Sequence, residues 1–185
     1  MNRSIVTGSL GHIAETEGMS IAETFLGAEA VVIVDVSGSM NDTDSRDGMS
    51  RYNVALEELA ALQAKLPGKI AVIAFSQYPM FCPGGVPPML GSMTNLAEAL
   101  RFSRVADVGD IRFVVISDGQ PDNEAEALRE AKLYKNRIDV IYVGSENHPY
   151  GRDFLTKLAA ASGGVAVTAD RVKELARSVE TLLLE

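Results

Sequence analysis

The sequence predicts an α/β fold: a doubly wound, mostly parallel central sheet with helices on both faces. Unbroken apolar runs, rich in β-branched residues, recur at Ala30–Val34, Ile70–Phe75, Phe113–Ile116 and Ile138–Val143. Such runs mark strands buried on both faces, where alternation would mark a half-exposed sheet. Segments with helical spacing separate them, and strands joined through helices imply right-handed crossovers and parallel neighbours. At 185 residues, 46% hydrophobic and 23% charged, the chain is expected to build one ordinary globular core.

The elements follow in order. Gly8, Gly11, Gly18 and Gly27 break any long helix in residues 1–28, leaving Ser20 to Phe25 as a short one. That stretch reads as an N-terminal arm packed on the sheet edge. After the first strand, about 30–35, Arg51 to Leu66 is expected to be helical. Tyr52, Leu56, Leu59 and Leu66 fall near one stripe, and Ala55, Ala60, Ala61 and Ala64 allow close packing. Pro67-Gly68 stops the helix. Following the second strand, residues 76–91 hold Pro79, Pro83, Pro87, Pro88, Gly84, Gly85 and Gly91, so a loop with at most a short edge strand is expected.

Thr94 then opens a helix running from Asn95 to about Ser103. The strand Phe113–Ile116 ends in Ser117-Asp118-Gly119. Asp122 to Lys135 reads as a helix with an acidic first turn and with Lys132 and Lys135 in its last, which suits the helix dipole. The strand from Ile138 to Val143 closes at Gly144. A helix from Arg152 to Ala161, a short strand from Val165 to Val167 and a last helix from about Asp170 to Leu183 complete the chain.

Charge and composition exclude several function classes. A formal net charge of −8 lacks the basic stripe of a general nucleic-acid binder. No apolar stretch approaches the ~20 residues of a membrane span. Glu15, Glu17 and Glu23 interrupt any signal-peptide core, so a cytoplasmic location is expected. Cys82 is the single cysteine, which rules out an internal disulfide and argues against a cysteine-based zinc site. His12 and His148 lie far apart, each without a ligand pattern nearby.

The informative motif is Asp35-Val36-Ser37-Gly38-Ser39, directly after the first strand. It offers a carboxylate and two hydroxyls at alternate positions, the all-oxygen chemistry preferred by a hard divalent cation. In open α/β sheets ligands bind beyond the carboxyl ends of the strands. Asp35 and Asp118 both stand at such ends, and Thr94 begins a helix that could reach the same face. Each residue also has a blander reading: Asp35, Ser37 and Ser39 as turn residues, Thr94 as a helix cap, Asp118-Gly119 as an ordinary turn.

With these motifs in this order, the sequence resembles the von Willebrand factor A (VWA) family over roughly residues 29–184. Asp35-Val36-Ser37-Gly38-Ser39 matches the family's Asp-x-Ser-x-Ser, Gly91-Ser92-Met93-Thr94-Asn95 resembles the loop supplying a distant threonine, and Ser117-Asp118-Gly119 resembles its Thr/Ser-Asp-Gly. The resemblance implies a VWA domain over 29–185 carrying a metal-ion-dependent adhesion site. Ser37 and Ser39 would bind Mg2+ (or Mn2+ or Ca2+) through their hydroxyls, and Thr94 directly or through water. Asp35 and Asp118 would hold coordinated waters or the serine hydroxyls. Few direct anionic ligands would leave the ion able to accept an Asp or Glu from a protein partner.

Ser92-Met93 departs from the glycines that relatives often carry before the threonine. The acidic segment 41–50 fails as an EF-hand, because Arg46 takes a ligand position and no glutamate follows at the required distance; it reads as a solvated rim loop.

The resemblance therefore implies a metal-dependent protein-interaction module without catalysis, of the kind that partners AAA+ ATPases of the MoxR or chelatase type. The chain itself has no Gly-x-x-x-x-Gly-Lys-Ser/Thr loop. An Mg-dependent phosphohydrolase would need a second carboxylate two residues after the first, and Ser37 holds that position. A phosphohydrolase-like enzyme lacking that carboxylate and a surface adhesin domain are the alternatives.

Overall fold

The structure, a computed structural model, describes residues 5–145 and 150–168. The helix expected from Asp170 to Leu183, and His148, lie outside them. Among the described residues the elements run α1 (Leu10–Glu17), α2 (Ile21–Leu26), β1 (Ala30–Asp35), α3 (Arg51–Lys65), β2 (Ile70–Phe75), β3 (Pro79–Phe81), α4 (Leu96–Ser103), β4 (Arg112–Ser117), α5 (Glu124–Ala131), β5 (Ile138–Tyr142), α6 (Tyr150–Ser162) and β6 (Ala166–Thr168). The strands form one sheet in the order β3-β2-β1-β4-β5-β6, parallel except for the antiparallel edge strand β3. This is the expected doubly wound α/β architecture.

Successive strand residues point to opposite faces, and the two faces are covered differently. Val31 and Ile33 pack with Phe113, Val115 and Val140 under α4, α5 and α6. Val32 and Val34 pack with Val72, Val114 and Ile116 under α3. Both faces are therefore dry, which is why the strands read as unbroken apolar runs.

The buried stripe of α3 matches the expected one in part: Ala55 and Leu59 are buried and Tyr52 and Leu66 pack against the core, but further residues join them. Arg51, Val54, Ala55, Glu58, Leu59 and Leu62 face inward, while Leu56 and Tyr52 are half-buried and Ala60, Ala61 and Ala64 are exposed. Two charges face inward with the apolar residues, Arg51 toward the end of β4 and Glu58 toward Arg46. The helix α5 also stops earlier than expected, at Ala131, so Lys132 and Lys135 fall beyond it. There the Asp107 carboxylate accepts from the backbone of Lys135 and Asn136, and the Tyr134 hydroxyl donates to the Leu100 carbonyl, drawing the chain out of the helix.

The N-terminal residues 5–28 hold a helix, α1, that glycine content argues against. Gly11 lies inside it because the Pro83 carbonyl approaches there; an added Cβ would meet that oxygen at 3.0 Å. The Gly11 N–H donates to the same carbonyl at 2.7 Å, and Val6 N–H donates to Gly84, so this segment lies along the loop after β3. No helix among the described residues is long and apolar enough to cross a membrane.

Candidate metal centre

The strand order reverses at β1: β2 pairs on one side and β4, reached only after β2 and β3, on the other. The carboxyl ends of β1 and β4 lie side by side at this reversal, the place where such sheets bind ligands. Asp35 is the last residue of β1, and Asp118 follows the last residue of β4.

Asp35 is fully buried, and both its oxygens are taken by the protein. One accepts from the Ser37 N–H at 2.9 Å, an Asx turn, and the other from the Ser117 hydroxyl at 2.7 Å. The turn reading of Asp35 is thus part of its role. It anchors the loop after β1 to the end of β4.

That turn is made through the Ser37 N–H, and the Ser37 side chain also stabilises the Asp35 carboxylate. Ser37 is the N-cap of a short 3-10 helix, Gly38–Asn41, but its side chain makes no capping bond. Instead the Ser37 and Ser39 hydroxyls face each other at 3.3 Å. Thr94 is likewise not a cap: Asn95 caps α4, its side chain accepting from the Glu98 N–H. Asp122 brackets Thr94, its carboxylate accepting from the Thr94 N–H at 3.1 Å and its N–H donating to the Thr94 carbonyl at 3.0 Å. The Gly38 N–H donates to Ser92 at 3.1 Å, joining the first loop to the loop that carries Thr94. Ser92 does this in the left-handed region, at φ 71°, which explains why a glycine suits the position.

Asp118 is buried and unequally satisfied. Its Oδ2 accepts from the Arg51 guanidinium at 2.7 Å, while Oδ1 is buried without a hydrogen-bond partner. An orphaned buried carboxylate oxygen costs several kcal/mol unless a cation or water engages it. Among the described residues no group of three or more His, Cys, Asp or Glu is placed to hold a metal. Two converging hydroxyls and an orphaned carboxylate oxygen are hard donors, and these residues fit a hard divalent cation.

No protein-family model and no curated protein matches the sequence. Solved structures do. An aerotolerance-related membrane protein from Bacteroides fragilis, with multiple mutations to serines, superposes at a TM-score of 0.68 with 15% identity, covering 85% of this chain and 98% of its own. The conserved hypothetical protein BatB from Bacteroides thetaiotaomicron gives 0.65 at 15% identity, over 86% of this chain and all of its own, 100%. Proximal thread matrix protein 1 from the mussel byssus gives 0.52 at 17% identity, over 84% of this chain and 45% of its own. The fold is VWA-like.

Within this VWA-like fold the electrostatics of Asp35 stand out. Burial first, and the Asp118 charge second, push its carboxyl up to about 6, against the pull of the bonds from Ser117 and Ser37. A folded-state value above the unfolded one means that the folded protein holds more protons between about pH 4 and 6. This stabilising contribution is full below that window and is lost as the pH rises through it. Metal-free protein is expected to gain about 1 kcal/mol from this group between pH 7 and pH 5. Urea unfolding in EDTA at both values, compared with Asp35→Asn, measures it; an identical pH difference in the two proteins would contradict the assignment.

Two residues that sequence reasoning passed over complete the centre. Arg51, the first residue of α3, reaches Asp118 from one side and Asp44 from the other, at 2.8 and 2.7 Å. The acidic segment is consequently more than a solvated loop. Its Asp42, Asp44 and Asp47 are exposed, but Arg51 holds Asp44, the Ser45 hydroxyl donates to the Val143 carbonyl at 2.7 Å, and Arg46 pairs with Glu58 at 2.8 Å. The other residue is Asp122, read from sequence as part of a helix and found clamping Thr94.

Proposed function

We propose that this chain is a divalent-cation-dependent protein-interaction module, with the metal at the carboxyl end of the sheet and its shell completed by a partner's Asp or Glu. The observation that carries this reading is the division of labour at the carboxyl ends of β1 and β4. Asp35 spends both oxygens on the protein, while the Ser37 and Ser39 hydroxyls and Asp118 Oδ1 remain for a cation. Ser37, Ser39 and Thr94 would hold Mg2+, or Mn2+ or Ca2+, and Asp35 and Asp118 would supply charge around it. When bound, such an ion offers an electrophilic centre to a carboxylate.

The surroundings suit a protein partner. Leu90, Met93 and Tyr150 stand exposed, the first two on the loop bonded to Val36 and Gly38 and the last beside Gly151, which abuts the Asp118 turn; Met and Tyr are enriched at interfaces. Binding without catalysis is the reading for Ser37, which takes the place of the acid–base carboxylate of a phosphohydrolase. A cytoplasmic AAA+ ATPase of the MoxR or chelatase type is the proposed partner.

The test is retention of partner proteins on immobilised chain with Mg2+ and with EDTA. The expected result is a protein released by EDTA, recovered on restoring Mg2+ and not retained by Ser37→Ala. Retention of the same proteins in all three conditions would overturn the metal-dependent reading.

A further inference from the structure

Arg51 is an unusual residue for its place. It is the first residue of α3, where the helix dipole favours anions, and its side chain is only 6% exposed. What holds it there is a set of carboxylates. Nη1 donates to Asp118 Oδ2 at 2.7 Å, Nε and Nη2 grip Asp44 at 2.8 and 2.7 Å, and Asp42 lies 3.4 Å away. Nη1 also lies 3.4 Å from the Ser39 carbonyl. The guanidinium therefore touches two of the five residues assigned to the metal centre and occupies one of the two oxygens of Asp118.

We propose that Arg51 is a built-in competitor for Asp118, a tethered cation that lowers the centre's affinity for a divalent ion, with Asp44 setting the strength of that competition. The inference rests on the metal-dependent reading given above. Its physical basis is simple. A fixed positive charge bonded to Asp118 repels a second cation drawn to the same carboxylate, and in a buried site that repulsion is poorly screened. Asp44, paired through both its oxygens, neutralises part of the guanidinium charge and holds it in place. A partner carboxylate adds negative charge at the same face, so metal and partner would bind together more tightly than either alone.

A merely structural role for Arg51 makes the opposite prediction. If the residue only braced Asp118, removing it would loosen the centre and weaken metal binding. Competition predicts that removing it tightens binding, and that the sign follows charge.

The experiment is calorimetric titration of the full chain with Mg2+ and with Mn2+, for wild type, Arg51→Gln, Arg51→Lys and Asp44→Asn, with the melting temperature of each in EDTA as the folding control. Arg51→Gln is expected to bind about tenfold more tightly than wild type. Arg51→Lys, which keeps the charge and loses the planar fork, is expected to stay within about threefold of wild type. Asp44→Asn leaves the guanidinium less neutralised and is expected to bind several-fold more weakly; it also serves as the test if Arg51→Gln does not fold. Wild-type binding that Arg51→Gln leaves equal or weaker overturns this inference alone, as does an Asp44→Asn affinity equal to or tighter than wild type. Absence of binding by every protein overturns the metal-dependent reading, and this inference with it.

Discussion

Gly151→Ala is expected to destabilise the protein by about 3 kcal/mol or more and to disturb the metal face with it. Gly151 lies in the first turn of α6, and a Cβ there would sit 1.9 Å from the Asp118 carbonyl oxygen. The reverse contact is as close: a Cβ on Gly119 would lie 2.2 Å from the Gly151 carbonyl, at a backbone φ of 76°. Both obstacles are backbone, so neither can rotate away. Either the helix would have to withdraw from the Asp118-Gly119 turn, or the turn would have to shift and take the Asp118 carboxylate off Arg51. Equilibrium urea unfolding measures the loss as a lower midpoint. Gly27→Ala is the comparison, because its φ is −88° and the nearest atom to a new Cβ is 3.5 Å away. Its expected change is within about 0.5 kcal/mol. Equal, small effects at both glycines would contradict the close approach of α6 to the Asp118 turn.

The fold class was legible because both faces of the sheet are covered, which writes each central strand as a continuous apolar run. Strand ends were legible too, since Asp35 and Ser117-Asp118-Gly119 break those runs abruptly. The inward-facing charges of α3 were not. A charged residue in a helix reads as surface unless its partner is known, and the partner of Arg51 stands 67 residues further along. One local signal existed: an arginine at the first helical position, against the dipole, just after Asp42, Asp44 and Asp47. The N-terminal helix α1 was hidden for the opposite reason. Glycine is read as a helix breaker, and the tertiary contact with Pro83 that requires Gly11 leaves no trace in local pattern.

The site residues divide in the same way. The sequence proposed Asp35, Ser37, Ser39, Thr94 and Asp118 as a group from their places at strand and helix ends and from the resemblance to the VWA motifs. The sequence could not say which oxygens the protein itself consumes. The structure brings Asp35, Ser37, Ser39 and Asp118 into one connected network, and ties the Thr94 loop to it through Ser92 and Gly38. The clamp on Thr94 by Asp122 was masked by the acidic start of the following helix, where an aspartate is expected anyway.

The second large effect is that of the metal itself. A ligand that binds only the folded state stabilises it by about 4 kcal/mol at a thousand times its dissociation constant. For a chain of this size that is on the order of 10 °C in melting temperature. Ser37→Ala removes one of the two facing hydroxyls and leaves the Ser37 N–H that donates to Asp35. The direct measurement is the melting temperature of metal-free protein against added Mg2+ and Mn2+, with calorimetry alongside, for wild type and Ser37→Ala. The account predicts a rise with both ions in wild type and none in Ser37→Ala. A wild-type protein that neither melts higher nor takes up heat-detectable metal would contradict it.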